Sequence, residues 1–372
     1  MTTPDRRLHF LLPAGWDDPR RPSGGNIYDQ RIRTELLGSG WQVRTVVAPA
    51  SPAAGDRTLA EVLAAIPDGS TVLADGLIVS PAADQVVRHL PRLRLTVLLH
   101  MPLVSAFGRE RDERTRASEP AVLAAATNVV VTSHWSRQEL LAHYDLAPER
   151  IHVAVPGVDR VQPIEDAAVR RAAAATRRNR LLCVGLLAPH KGQDILIDAL
   201  ARLGTRAGGG WACLLVGADD VDAGFAAMLG SRVVDWGLGR QVRFAGVLDQ
   251  AALHRAYATA GLLVAPSRAE TYGMVVSEAL GHGLPVLASD VGGLPEALGF
   301  APGGDRPGEL IAPGDPDALA TTLSHWRHDT AYRKRLESAA RGRRAHLPTW
   351  TDTVRTIAGA LLGAAVALGI RS

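Results

Sequence analysis

Two successive series of short apolar runs, each run as long as a β-strand and each followed by a helical pattern, constrain this chain more than any other feature. The first series lies near Leu8 to Ala14, Val43 to Ala48, Thr71 to Ala74, Leu93 to Leu99 and Val129 to Thr132. Pro156, Gly157 and a polar, Arg-rich stretch to Arg180 interrupt the alternation. A second series then follows at Leu181 to Gly185, Ala212 to Gly217, Val242 to Gly246, Leu262 to Pro266 and Pro285 to Ser289. Such alternation predicts parallel sheets wrapped by helices, an α/β fold. At roughly 150 residues per domain, 372 residues suggest two Rossmann-like domains, each large enough for its own core. Residues 1–160 form the first and 161–350 the second. Ligands in open parallel sheets bind beyond the carboxyl ends of the strands, so two such domains facing each other would hold a ligand in the cleft between them.

Composition excludes several classes of function. The formal net charge is only +3 and the basic residues are dispersed, which gives nucleic acid no stripe or tail to bind. The apolar run at the N-terminus ends at Pro13, too early for a signal sequence with a cleavage site. The run from Ile357 to Ile370 falls short of the roughly 20 residues that span a bilayer and reads as a buried helix. Cys183 and Cys213 both lie in strand-like runs and are expected to be inert core thiols rather than a disulfide framework, which points to the cytoplasm. Lysine occurs only at 191 and 334, so nearly every cation is Arg.

The most informative stretch runs from Pro266 to Glu296, PSRAETYGMVVSEALGHGLPVLASDVGGLPE. Glu270 stands in the turn after an apolar strand, and Glu278 stands eight positions on, inside the next helix. A helix starting near Gly273 leaves the amides of Thr271, Tyr272, Gly273 and Met274 as first-turn donors, a site that a phosphate fits. At roughly 1.5 Å rise per residue, Glu278 could share a wall with Glu270 while lying several ångströms away. That arrangement suits a ligand with hydroxyls at both ends and phosphates in the middle. Glu278 could also simply solvate a helix face.

Three further places carry chemistry. In VGLLAPHKGQDILIDAL, Val184 to Leu200, a strand ends at Gly185 and a helix opens near Lys191. A Lys in a chain that otherwise uses Arg suggests that a compact ammonium is needed there, although a solvated helix-start Lys would look the same. Ser23, Gly24 and Gly25 precede a helical pattern that runs to about Leu37, and glycines at a helix start allow close backbone approach to a ligand. Gly pairs mark any turn, so this signal is weak alone. His100 opens the loop after the strand ending at Leu99, where it is either a ligand contact or a satisfied core histidine.

The Glu270 to Glu278 spacing, followed by EALGHGLPVLASDVGGLPE, resembles the donor-site signature of retaining glycosyltransferases with the GT-B fold, closest to glycosyltransferase family 4. The resemblance implies that Glu270 contacts hydroxyls of the transferred sugar and that Glu278 binds the nucleotide ribose. It implies that Lys191 holds the donor diphosphate, that the Ser23–Gly25 loop lies against the donor phosphate and acceptor, and that His100 bonds the sugar near its 6-hydroxyl. It also implies a last helix, 351–372, crossing back to cover the first domain. The family usually places an Arg directly after the strand's Gly, and here Leu186 stands in its place. Arg268 or Arg243 could substitute, the 271–274 amides could do more, or activity could be low.

The resulting expectation is a bacterial hexosyltransferase that retains anomeric configuration. It would need no metal and no cofactor beyond the nucleoside-diphosphate sugar co-substrate. Asp219 and Asp220 read as loop carboxylates, His134 and Trp135 as packing residues behind the Ser133 N-cap, and Glu296 as a ligand contact or a cap. The mixed-charge run Arg109 to Arg116 reads as a solvated helix or lid, too acidic for a membrane-binding face. The expected acceptor is a soluble small molecule or natural product. A cell-envelope glycan or lipid acceptor, a catalytically weak sugar-nucleotide-binding protein and a homodimer all stay open.

Overall fold

The computed structural model describes residues 6–48, 57–103, 113–159, 177–203 and 210–367. The mixed-charge run at 109–116 lies outside the described residues as far as 112. The chain divides into two compact units, the first comprising Met1–Asp18, Gly24–Gly157 and Pro348–Ser372, the second Pro19–Ser23 and Val158–Leu347.

The first unit contains a six-stranded sheet, β1 (Arg7–Pro13), β2 (Gln42–Ala48), β3 (Thr71–Asp75), β4 (Arg94–Leu99), β5 (Asn128–Val131) and β6 (Ile151–Val153), in the order β2-β1-β3-β4-β5-β6. Every pairing is parallel, with His9 opposite Val72 and Thr71 opposite Arg94. β3 and β5 are buried along their whole length, which explains their unbroken apolar sequence: helices cover both faces. The chain order reverses between β1 and β3. Loops leaving those two strands, and the neighbouring β4, open the crevice where an α/β sheet binds ligands.

The C-terminal helix Trp350–Ala367 belongs to this unit and packs on β4, β5, β6 and the helix Gly24–Gly38. Its buried residues Trp350, Val354, Ile357, Ala360 and Leu361 repeat at helical spacing and form one apolar stripe. Polar bonds fix its register: Asn128 Nδ2 donates to the Ala360 carbonyl at 2.9 Å and Thr353 Oγ1 to the Val155 carbonyl at 2.7 Å.

The second unit contains β7 (Arg180–Val184), β8 (Ala212–Val216), β9 (Val242–Phe244), β10 (Leu262–Ala265), β11 (Val286–Ser289) and β12 (Gly308–Ile311), all parallel, in the order β12-β11-β10-β7-β8-β9. Its reversal lies between β7 and β10. Cys183 and Cys213 sit buried and unbridged on β7 and β8, where burial pushes the Cys183 thiol up to about 12. β6 and β12 carry no strand signal of their own: IHV is three residues long and GELI has only two apolar side chains. They pair because the edges of β5 and β11 offer unpaired backbone groups. No helix among the described residues is long and apolar enough to cross a membrane.

Candidate functional site

In the second unit the chemistry gathers on two loops that leave the adjacent strands β7 and β10. The first contains Gly185, a tight turn Pro189–Lys191 and Gly192, and leads into the helix Gln193–Leu203; the second, 266–273, leads into the helix Met274–Gly281. Backbone contact fastens them together. Arg268 N donates to the His190 carbonyl at 2.8 Å. Gly192, at φ +69°, passes so close to Pro266 that a Cβ would stand 2.0 Å from its carbonyl oxygen. The Arg268 guanidinium completes the brace with bonds of 2.7 Å to both Asp194 carboxylate oxygens and 2.7 Å to the Pro189 carbonyl. Burial opposes ionisation of Asp194, but the hydrogen bonds and charge of Arg268 outweigh it and hold the carboxyl below its ordinary range.

This brace sets Lys191 against Glu270. Their Nζ and Oε2 atoms lie 2.6 Å apart, with side chains 23% and 13% exposed. Two residues separated by 79 positions, each singled out from sequence, thus form one ion pair at the mouth of the switch-point crevice. The Glu270 carbonyl accepts from Gly293 N at 3.0 Å. At Gly292, φ +55°, a Cβ would lie 1.8 Å from the same carbonyl oxygen. The glycines of DVGGLPE are therefore demanded by the close passage of the Glu270 turn.

Gly273, at φ +96°, precedes the helix Met274–Gly281 without capping it by a side chain, so the backbone of 271–274 forms the helix mouth beside Glu270. The Tyr272 ring turns inward, buried, and its hydroxyl accepts from Ser277 Oγ at 2.9 Å; the residue offers only backbone to the mouth. Glu278 accepts from the Tyr257 hydroxyl at 2.7 Å. Tyr257 stacks on His282, whose Nδ1 is 2.9 Å from the Glu278 carbonyl and whose Nε2 is 3.1 Å from His254 Nδ1. Burial lowers the His282 imidazole to about 4, so it is neutral, with Nδ1–H donating to Glu278 and Nε2 accepting from His254. This support for Glu278 left no trace in the sequence pattern.

No cation stands at position 186, where Leu186 is partly buried and its carbonyl accepts from Gln193 Nε2 at 2.9 Å. Of the two Arg residues considered as substitutes, Arg268 is engaged by Asp194, and Arg243 lies on β9, two strands from β7 at the sheet edge.

In the first unit, Gly24 and Gly25 open the helix Gly24–Gly38, while Ser23 groups with the second unit. His100 follows β4 and its Nε2 lies 3.0 Å from Asp29 Oδ1. Asp29 is completely buried, and Asp75, at the end of β3, accepts from Leu77 N at 2.8 Å. Ligand-type atoms of Asp29, Asp75 and His100 all lie within 4.8 Å of one another, the only such cluster among the described residues. Burial raises the Asp29 carboxyl to about 6, with His100 pulling it back down. For His100, burial opposes protonation, but the charge and hydrogen bond of Asp29 and the charge of Asp75 win and push the imidazole up to about 9. Asp29 and Asp75 escaped sequence reasoning. The available signal was an acid beside the Tyr28, Ile32, Leu36 stripe, a helix face that is otherwise apolar.

Residues 165–343 match the family described as glycosyl transferases group 1. A D-inositol 3-phosphate glycosyltransferase of Jonesia denitrificans is 31% identical over 67% of this chain and 60% of its own length. A mannosylfructose-phosphate synthase of Agrobacterium fabrum is 30% identical over 62% of this chain and 51% of its own. The chain thus spans between half and two thirds of the length of these relatives. Among solved structures, the sucrose-phosphate synthase of Thermosynechococcus elongatus superposes with a TM-score of 0.76 at 23% identity, covering 97% of this chain and 100% of that one. Anabaena HepE in complex with UDP and glucose gives 0.75 at 20% identity, covering 96% and 100%. These likenesses establish the GT-B fold.

Proposed function

We propose, from the GT-B fold and the match of residues 165–343 to the group 1 glycosyl transferases, that the chain transfers a hexose from a nucleoside-diphosphate sugar to a small soluble acceptor, with retention at the anomeric carbon. The observation that carries this reading is the Lys191–Glu270 pair at 2.6 Å, set beside a helix mouth that no side chain of Gly273 caps. It joins one cation for a diphosphate to one carboxylate for sugar hydroxyls.

The roles follow from that placement. Lys191 and the 271–274 amides receive the diphosphate and, in a preorganised setting, stabilise the charge that grows as it leaves. Glu270 accepts from hydroxyls of the sugar, and Glu278 from the ribose. His100 donates to a substrate hydroxyl, and the Ser23–Gly25 backbone approaches phosphate. The bond from C1 to the phosphate oxygen breaks with its electron pair going to the diphosphate; the acceptor oxygen bonds C1 on the same face; its proton passes to the leaving phosphate oxygen. With Leu186 lacking charge, the amides carry more of the diphosphate than an Arg-containing site would ask of them. We place this chemistry in the cytoplasm, without metal or further cofactor. The names of the relatives, a D-inositol 3-phosphate glycosyltransferase and a mannosylfructose-phosphate synthase, favour a hydroxyl-rich small acceptor over a membrane glycan.

Thermal unfolding with a panel of UDP-, GDP-, ADP- and dTDP-sugars tests the donor. One class should stabilise by about 2–3 kcal/mol at a hundredfold excess over its Kd. Lys191→Ala and Glu270→Ala should each abolish release of nucleoside diphosphate to added polyols while keeping the fold, and EDTA should leave the wild type unchanged. Wild-type turnover in both variants, or binding without turnover on any acceptor, refutes the assignment.

A further inference from the structure

We infer that Asp29 is a positioning residue that holds the His100 ring by Nε2 as a fixed hydrogen-bond donor, leaving Nδ1–H for a substrate oxygen. This rests on the transferase reading and adds to it a residue outside the donor motifs.

Burial comes first. Asp29 has no exposed surface and lies on a helix whose other buried members are Tyr28, Ile32 and Leu36. A carboxylate in such a place is costly unless it is paired. Its Oδ1 meets His100, while Oδ2 has no donor among the described residues, and the carboxyl also faces that of Asp75, which helps to raise it.

The ring is also clamped from other sides. The Tyr28 ring meets His100 edge-on at 5.3 Å, and Tyr28 is itself tied by its hydroxyl to the Ala154 carbonyl at 2.8 Å. A Cβ at Gly25 would stand 3.2 Å from His100 Cδ2, so the glycine leaves room for the ring and for little else. The charged and titratable groups facing His100 are Asp29 and Tyr28 from the helix and Asp75 from β3. Two carboxylates favour the imidazolium, which can donate from both nitrogens and cannot accept a proton. His100 therefore acts as a hydrogen-bond donor to a substrate oxygen, and not as a general base. Asp29 sets the position of the ring and, together with Asp75, its charge.

Asp29→Asn keeps the shape and removes the charge. Ring-nitrogen NMR of ¹⁵N-histidine-labelled full-length protein should show His100 as an imidazolium at pH 7.5 in the wild type and as a neutral ring in the variant. Turnover of the responsive donor should fall about 10–100-fold in kcat with KM changed less than threefold. The alkaline limb of its pH profile should move down by more than one unit. Adding Asp29→Asn to His100→Gln should change turnover by less than twofold, since Asp29 acts through the ring. A neutral His100 in the wild type at pH 7.5, or additive losses in the double variant, overturns the inference. The wild-type spectrum decides even if Asp29→Asn does not fold. Because it requires no turnover, failure to find a donor would count against the transferase reading alone.

Discussion

Gly292→Ala offers a direct test of how the second unit positions Glu270. Two costs can be worked from the structure. Gly292 lies at φ +55°, where an L-residue costs about 1–2 kcal/mol. Its Cβ would also lie 1.8 Å from the Glu270 carbonyl oxygen, more than an ångström inside any normal contact. Since Gly293 N bonds the same oxygen at 3.0 Å, the turn cannot yield without moving Glu270 or losing that bond, worth about 1 kcal/mol. The sum is about 2–3 kcal/mol, which a domain of ordinary stability survives. A displacement of roughly 1 Å at a reacting group can cost about a hundredfold in rate. Gly314→Ala is the control: φ is +73° but no atom lies within 4 Å of the added Cβ, so it bears the backbone strain alone. Urea denaturation should show both variants destabilised, Gly292→Ala the more. Only Gly292→Ala should lose protection by the donor and about two orders of magnitude in nucleoside-diphosphate release. Equal activity in the two variants would refute the claim that this glycine sets the position of Glu270.

Arg268→Lys keeps a cation but breaks the two parallel bonds to Asp194, and should cost about 1–2 kcal/mol in denaturant melts and raise the donor KM, because the loops bearing Lys191 and Glu270 come apart. An unchanged KM would mean that the brace does not position the pair. Stability should also depend on pH through His100. Folding raises its value from 6.5 to about 9, so its contribution is complete below pH 6.5 and is lost as the pH rises through about 9. Asp29, raised to about 6, acts with the same sign at lower pH. Between pH 6.5 and 9.5 the wild type should lose about 1–3 kcal/mol that His100→Gln does not; parallel pH curves would contradict the buried ion pair.

Most strands that sequence could locate are apolar because they are buried, β3, β5, β10 and β11 along their whole length, while the largely exposed edge strands β2 and β9 were found from their short apolar runs. Edge strands β6 and β12 escaped because pairing, not side-chain character, defines them. In the candidate site, Lys191, Glu270 and Glu278 were legible because motif residues and their glycines lie close together along the chain. Asp29, Asp75, Tyr257 and His282 were not, since each acts on a partner that is distant in sequence: His100 lies 71 positions from Asp29, and Glu278 lies 21 from Tyr257.

Strand–helix periodicity and the glycine-rich signature at 266–296 were enough to specify a twofold α/β architecture and the kind of ligand it invites, because local backbone geometry and hydrophobic patterning repeat at short range. Which side chains meet was decided by tertiary structure. Strand order placed the β7 and β10 loops side by side and so brought Lys191 to 2.6 Å from Glu270. Helix packing put the buried Asp29 beside His100, and the charge and hydrogen bond of that carboxylate, absent from any linear spacing, give the imidazole its charge against the opposing effect of burial.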